Sequence, residues 1–155
     1  MQPAAARVQA TLRALGVSAE VSELSESART AADAAAACGV AVGQIVKSLV
    51  FMAAGAPVVA LVSGSNRLDE SRLGSVAGEP VTKAGAEAAR GATGYAIGGV
   101  PPFGHATDVP VFMDRDLLAY DVVWAAAGRP DSVFQIAPDR LRELSGAVVA
   151  DLKTA

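Results

Sequence analysis

"QIVKSLVFMAAGAPVVALVS", residues 44–63, contains two apolar segments separated by a short turn. The segments 44–53 and 57–63 are rich in aliphatic and β-branched residues on both faces of an extended chain, and Gly55 and Pro57 interrupt the pattern between them. Strands that are apolar on both faces are typical of the middle of a covered sheet. The stretch therefore predicts a central β-hairpin whose two faces are both packed against other elements.

Helical and strand patterns alternate on either side of this hairpin. Five helices are predicted. The first runs from Ala5 to Leu15, and the second is an alanine-rich segment that Thr30 and Asp33 cap and that ends at Gly39. The other three lie over 69–77, after Thr82 and over 139–144. Short strands are predicted within 18–24, at Tyr95–Ile97, and within 109–114, 119–128, 132–136 and 147–152. The pattern favours an α/β (α+β) fold, with residues 1–155 as a single compact domain built on a mixed, barrel-like sheet surrounded by helices.

Composition narrows the class of protein. The chain has 155 residues and a net charge of −3, which argues against electrostatic binding of long nucleic acid and favours a small, local contact. No apolar run is long enough to span a membrane and no signal-peptide pattern opens the chain, so we expect a cytoplasmic protein. The single cysteine, Cys38, excludes an internal disulfide, and with one histidine it also excludes a conventional Cys/His zinc site. Cys38 is interpreted as a buried structural residue rather than a reactive thiol.

Lys47 is the first candidate functional residue. It lies in the middle of a predicted strand, on one face with Ile45, Leu49 and Phe51. A lysine in that position would be costly to bury unless its ammonium reaches a rim, pairs with a carboxylate or faces an anionic ligand. Both a rim lysine that covers apolar surface and a cationic pocket residue fit the pattern.

The segment "GYAIGGVPPFGH", residues 94–105, is the second candidate. Its prolines, Pro101 and Pro102, fix the backbone and donate no hydrogen bond, whereas its glycines let backbone N–H groups approach a ligand closely. Such amides can hold a carbonyl oxygen or a developing oxyanion. Glycine-proline segments are also common as plain turns, so the pattern leaves both interpretations open.

Other polar residues have ordinary structural explanations. His105 could act as a general base, but a lone histidine after a loop is more often structural. Asp114 is expected to cap a helical turn rather than to act in catalysis. Asn66 and Arg67 follow a strand and could reach a ligand, but a turn with a solvated arginine is favoured. The serines of "SGSN", which begins at Ser63, do not form a nucleophile elbow.

Together these segments resemble the YbaK family, the prolyl-tRNA synthetase-associated or INS-like editing domain. The resemblance runs in order through 27–39, 43–51, 92–105, 109–114 and 118–144. Its two most specific marks are the strand lysine, matched by Lys47, and a glycine-x-x-x-proline loop, matched by Gly98–Pro102 ("GGVPP"). The resemblance implies a free-standing enzyme that hydrolyses the ester of a wrong amino acid on tRNA, most often tRNA for proline, without metal or organic cofactor.

The resemblance also implies roles for residues. Lys47 would supply positive charge to the terminal adenosine or the ester carbonyl, and the amides of Gly98, Gly99 and Val100 would bind the carbonyl oxygen. Water, the terminal ribose hydroxyl or the substrate's own thiol would attack. Candidate substrate-binding residues are Thr30, Ser48, Ser63, Pro101, Pro102 and His105.

The specificity implied by the resemblance stays open. Cysteine-specific members carry an acidic residue where this chain has Val133, and Asp131 lies nearby. Beside the strand lysine those members have a threonine, and this chain has Ser48, which is also small and polar. The expected partners are the aminoacylated acceptor end of tRNA and, beyond it, prolyl-tRNA synthetase or another synthetase, with no membrane and no metal. Two other functions fit the same fold: a non-catalytic module that binds tRNA or a synthetase, and a small-molecule hydrolase or ligand-binding domain.

Overall fold

A computed structural model describes residues 1–25 and 30–155 and contains five α-helices and eight β-strands within them. The helices are α1 (Pro3–Ala14), α2 (Ala31–Cys38), α3 (Glu70–Ala77), α4 (Ala86–Thr93) and α5 (Pro138–Ser145). The strands are β1 (Ser22–Glu23), β2 (Ile45–Ala53), β3 (Ala56–Ser63), β4 (Val81–Lys83), β5 (Val111–Asp114), β6 (Val123–Ala126), β7 (Ser132–Ile136) and β8 (Val148–Ala150). Short 3₁₀ turns cover Val42–Gln44 and Arg115–Ala119. Residues 27–29, which begin the first segment of the family resemblance (27–39), lie outside the described residues.

The strands form one mixed sheet in the order β1-β7-β6-β2-β3-β5-β8, and β4 pairs with β2. The predicted hairpin is its centre: β2 and β3 pair antiparallel from Val46 opposite Ser63 to Ala53 opposite Ala56. Strand β6 runs parallel to β2, and β5 parallel to β3 and β8. The mixed α/β architecture is thus confirmed, with a sheet that stays open between β1 and β8 over the described residues.

Both faces of the central hairpin are packed, as the sequence predicts. On one face Val46, Val59 and Leu61 join a large apolar cluster that includes Leu12 of α1. On the other face Phe51, Val58, Ala60 and Val62 pack with Leu73 of α3, and Ile45 packs against the alanines of α2. Burial on two sides explains why no polar alternation is visible in these strands.

Helix α2 begins and ends where its sequence signals predict. The Thr30 hydroxyl accepts a hydrogen bond from the Asp33 N–H at 3.1 Å, and Gly39 ends the helix with φ of 70°. Cys38, predicted to be buried, is only partly so, and burial raises the pKa of its thiol. No helix in the described parts of the chain has the length and apolar character needed to cross a membrane.

Residues Tyr95–Ile97 do not form the predicted strand. Gly94 and Gly98, with φ of 83° and 90°, turn the chain on both sides of them. Tyr95 is buried in the core, whereas the Ile97 side chain is 58% exposed. The alternation of apolar residues there therefore reflects a turn with one buried aromatic ring. Strand β4, which the sequence reasoning missed, pairs with the end of β2 instead.

Candidate active site

A pocket of about 710 Å³ runs along strand β2. Its wall includes all seven residues from Ile45 to Phe51. Because neighbouring residues of a strand point to opposite faces, a surface that touches seven in succession follows the edge of the strand rather than one face. The pocket is therefore built on the backbone of β2 as much as on its side chains.

The pocket occupies a gap in the sheet. Strand β6 pairs with β2 only at Ile45 and Val46, and β4 pairs with the same strand only from Phe51 to Ala53. The edge of β2 between these two pairings has no neighbouring strand among residues 1–25 and 30–155. The other residues that line the gap are Thr30, Ala31, Ala34, Lys83, Ala84, Ile97, Gly98, Val100, Trp124, Ala125, Ala126, Pro130 and Val133.

Lys47 lies in the wall of this pocket and is half-buried. Its Nζ donates a hydrogen bond to the carbonyl oxygen of Asn66 at 2.6 Å. Burial lowers the pKa of Lys47, and the negative charge of Asp114 partly opposes that shift. Lys47 forms no ion pair within 4.0 Å among the residues that the structure describes. Its ammonium is thus fixed in place and keeps N–H donors for an anionic or carbonyl ligand.

Asp114 holds the turn that positions Lys47. Its carboxylate is buried and accepts hydrogen bonds from the Ser63 N–H at 3.0 Å and from the Asn66 side-chain amide at 2.8 Å. It also accepts one from the Asp116 N–H at 3.0 Å, the cap predicted for the helical turn that follows. The Asn66 carbonyl that accepts from Lys47 therefore belongs to a turn anchored from two sides.

Two buried polar atoms in the pocket wall have no hydrogen-bond partner among the described residues. They are the Ser48 hydroxyl and the indole N–H of Trp124. Polar groups buried in proteins are usually paired, and an unpaired one costs about 1–3 kcal/mol. Both residues line the same pocket, but the two atoms themselves lie beneath its surface, so a ligand pairs with them only if a side chain shifts.

Gly98 and Val100 also line the pocket, and their N–H groups have no partner in the described parts of the chain. The Gly99 N–H, in contrast, donates to the Ala96 carbonyl at 3.0 Å, and Gly99 does not line the pocket. The Gly99 carbonyl accepts from the Gly128 N–H at 2.9 Å, which ties the loop to the end of β6. Two amides of this loop, rather than three, are thus free for a ligand.

His105 and the prolines support the loop from behind. The His105 Nε2 bonds to the Pro101 carbonyl oxygen at 2.7 Å, and burial lowers the pKa of the imidazole despite that bond. Pro101 and Pro102 are buried. His105 and both prolines stay outside the pocket wall. Their position makes them supports of the loop.

Thr30 and Ser63 differ in their relation to the pocket. Thr30 lines it, although its hydroxyl is occupied by the cap of α2. Ser63 is buried outside it, and its hydroxyl donates to the Gly43 carbonyl at 2.7 Å. Of the residues expected at the site, the structure gathers Lys47, Ser48, Thr30, Gly98 and Val100 around one pocket; Gly99, Ser63, Pro101, Pro102 and His105 lie behind it.

Sequence reasoning missed Trp124 and Lys83, and for Asn66 it favoured a turn over a ligand contact. Trp124 is the single tryptophan of the chain, and Lys83 is exposed on β4 at the pocket. The sequence around these two residues is ordinary and gave no signal, because only the pairing of β6 and β4 with β2 brings them to the pocket that Lys47 lines. Val133 forms an apolar part of the wall, while the Asp131 carboxylate is occupied by Arg129 at 3.1 Å and stays outside the pocket.

Comparison with known proteins agrees with the geometry. The model of the aminoacyl-tRNA editing domain family matches residues 25–144. The chain is 49% identical to a solved structure described as "a putative trans-editing enzyme for prolyl tRNA synthetase", with a TM-score of 0.96, and covers 99% of it with 100% of its own length.

Two curated bacterial proteins are also similar. The "Uncharacterized protein YwhH" of Bacillus subtilis (strain 168) is 32% identical over 127 residues, 81% of each chain. The "Putative Cys-tRNA(Pro)/Cys-tRNA(Cys) deacylase EbsC" of Enterococcus faecalis (strain ATCC 700802 / V583) is 27% identical over 132 residues, 84% of this chain and 80% of that protein. The resemblance inferred from the strand lysine and the glycine-proline loop is confirmed: the chain belongs to the aminoacyl-tRNA editing domain family.

Proposed function

We propose that this protein is a trans-editing deacylase. It hydrolyses the ester between a small amino acid, such as cysteine or alanine, and the tRNA to which that amino acid was wrongly attached, with tRNA for proline as the first candidate. The observation that carries the proposal is the pocket itself, which is lined by Lys47 and by Gly98 and Val100, the two loop residues whose N–H groups have no partner among the described residues. We further propose that residues 1–155 form one editing domain.

The reaction needs a carbonyl site more than a catalytic side chain. The N–H groups of Gly98 and Val100 bind the ester carbonyl oxygen and stabilise the oxyanion that forms when its carbon is attacked. Loss of one such donor typically costs about 3 kcal/mol in the barrier. Lys47 binds a phosphate or the ribose of the terminal adenosine, or adds its charge at the carbonyl.

The attacking group comes from the substrate or from solvent. Over the described residues the pocket wall contains no carboxylate, imidazole or thiol that could serve as a base or nucleophile. Water forms the new bond to the carbonyl carbon, with the neighbouring ribose hydroxyl able to accept its proton, or a substrate thiol forms that bond and gives a thiolactone that water then opens. The ester C–O bond breaks, and the departing ribose oxygen takes up the proton that the attacking group loses.

Pocket size and charge suit the end of a tRNA. A volume of about 710 Å³ lies in the usual range of about 300–1,000 Å³ for small-molecule sites and can hold an aminoacylated adenosine. The net charge of −3 is compatible with a contact confined to that end. Prolyl-tRNA synthetase or another synthetase would hold the rest of the tRNA, in line with the description of the similar structure as a trans-editing enzyme for prolyl tRNA synthetase.

The test is a panel of tRNAs charged with alanine, cysteine, serine or proline, incubated with the protein and with two variants. Lys47→Met should slow hydrolysis at least about tenfold, because hydrogen bonds from a charged group contribute about 1.5–3 kcal/mol. Arg90→Met removes the same unit charge from an exposed helix position outside the pocket and should not slow it. If the wild type binds these tRNAs but hydrolyses none, the protein is a binding module and the proposal is wrong.

A further inference from the structure

We propose that the free edge of β2 binds the amino acid of the substrate as a one-residue strand, with the Ser48 carbonyl accepting from its α-ammonium group and the Val50 N–H donating to its ester carbonyl. The inference rests on the proposed function and deepens it. The enzyme would then select esters of amino acids with an unblocked α-amino group.

The direction of the backbone groups follows from the hydrogen bonds on either side. The Val50 carbonyl accepts from the Ala84 N–H at 3.1 Å, so it points toward the edge on which β4 and β6 lie. The Ile45 carbonyl accepts from Gly64 at 2.7 Å and points the opposite way, toward β3. Backbone groups alternate along a strand, so those of Ser48 point, like those of Val50, into the gap.

The pairings on this edge leave three backbone groups without partners. The ladder with β6 ends at Val46 opposite Ala125, and the ladder with β4 begins at Phe51 opposite Lys83. Between them the Ser48 N–H, the Ser48 carbonyl and the Val50 N–H have no hydrogen bond in the described parts of the chain. Backbone groups beside a covered sheet are nearly always paired, so this gap is a place for a ligand's backbone-like groups.

The reason for the gap is the path of the chain after β6. The Ala127 N–H bonds to Ser132 at 2.7 Å, and the Gly128 N–H bonds to Gly99 at 2.9 Å. Gly128 has φ of 90° and turns the chain away from β2. The position that the next residues of β6 would occupy is therefore part of the pocket.

The free groups have the spacing that a parallel neighbour uses. In a parallel ladder one residue donates its N–H to the carbonyl before its partner and accepts from the N–H after it. Opposite Leu49, those two groups are the Ser48 carbonyl and the Val50 N–H. An extended amino acid ester has the matching pair, an α-ammonium donor and a carbonyl acceptor. The oxyanion that forms on attack has three lone pairs, so it can also accept from the amides of Gly98 and Val100.

The Ser48 side chain offers a second acceptor only if it rotates. Its hydroxyl has no partner among the described residues and is fully buried, so in this structure it does not face the pocket. A hydroxyl can accept as well as donate, so after rotation about χ1 it can take a second N–H of the ammonium group. A cation so placed needs such acceptors, because the described pocket wall has no carboxylate.

The closing experiment compares two adenosine analogues in which a stable amide replaces the ester, 3′-alanylamino-3′-deoxyadenosine and its N-acetyl form. Binding is measured by calorimetry, and hydrolysis is measured in parallel on alanyl-tRNA and N-acetyl-alanyl-tRNA. We expect N-acetylation to weaken binding and slow hydrolysis by at least about tenfold, since a charge-assisted hydrogen bond is lost. Equal behaviour of the free and acetylated forms, or no binding of the free amine, would overturn the inference.

A backbone substitution tests the protein side. Replacing Val50 with its α-hydroxy acid by semisynthesis deletes an N–H that no strand uses, so the melting temperature should change little. Hydrolysis of alanyl-tRNA should fall about five- to tenfold, as expected for one lost hydrogen bond. An unchanged rate would contradict the binding geometry. Hydrolysis of no ester by the wild type, with selective binding of the free amine, would instead refute the deacylase and leave the amine site intact.

Discussion

Folding favours the neutral form of Lys47 over its charged form. Burial lowers its pKa below the ordinary value of 10.5, and the charge of Asp114 does not fully offset that shift. The unfolded chain then holds the proton more tightly than the folded one. Between the folded pKa of Lys47 and about 10.5, the free energy of unfolding rises with pH, because the folded protein loses the proton first and with it the unfavourable charge.

We therefore expect Lys47→Met to be at least as stable as the wild type at neutral pH while its hydrolysis is impaired. Its advantage in the free energy of unfolding should shrink as pH rises from the folded pKa of Lys47 toward about 10.5. Denaturant titrations at several pH values measure this. A Lys47→Met protein that is clearly less stable at neutral pH would show that the Asn66 contact outweighs the cost of burial.

Trp124 allows an atom-level test of an unpaired donor. Because Trp124 is the single tryptophan of the chain, global replacement of tryptophan by 3-benzothienylalanine changes this position alone; the analogue keeps the ring shape and lacks the N–H. If the N–H serves the substrate, KM should rise about fivefold, as for one neutral hydrogen bond, with an unchanged melting temperature. A lower melting temperature with an unchanged KM would assign the N–H to the fold.

At the scale of elements, the loop that carries Gly98 and Val100 depends on a close backbone contact. A Cβ at Gly99 would lie 2.4 Å from the Gly128 carbonyl oxygen and 2.8 Å from the Arg129 nitrogen. Gly99→Ala must therefore displace the loop from the end of β6, and it should lower both hydrolysis and the free energy of unfolding.

A second glycine gives the matched control. Gly91 lies inside α4, and a Cβ there would meet nothing within 4 Å. Gly91→Ala should stabilise the protein by about 0.5–1 kcal/mol and leave hydrolysis unchanged. Denaturant midpoints and deacylation rates of the two variants measure the difference. Similar stability of both variants would mean that the loop does not need its contact with Gly128.

Sequence patterns predict elements better than they predict gaps between elements. The hairpin could be found because Ile45–Ala53 and Ala56–Ser63 are apolar on both faces, a property of the chain itself. The caps at Thr30 and Asp114 could be found for the same local reason. The free edge of β2 could not, because it depends on where β6 and β4 stop pairing, and those strands are remote in sequence.

At the scale of the whole molecule, the site was only partly predictable. Lys47 stood out as a cation in an apolar strand, and the glycine-proline segment as a loop of free amides. Within that loop the Gly99 N–H bonds to the Ala96 carbonyl three residues back, while the N–H groups of Gly98 and Val100 have no partner among the described residues; the pattern of glycines and prolines does not distinguish the three. Asn66 likewise gained its part in the site through a carbonyl that only folding brings to Lys47.

Charge distribution over the whole molecule leads to a prediction for tRNA binding. The net charge is −3, and the pocket wall in the described residues carries two cations, Lys47 and Lys83. Affinity for single-stranded nucleic acid falls with salt with a logarithmic slope of about −0.7 per neutralised phosphate. Two contacts give a slope of about −1.4, and Lys83→Met should reduce its size by about 0.7, whereas Arg90→Met should leave it unchanged. Binding isotherms for an uncharged tRNA between low and physiological salt measure the slope. A slope steeper than about −4 would require further phosphate contacts and would contradict a footprint confined to the acceptor end.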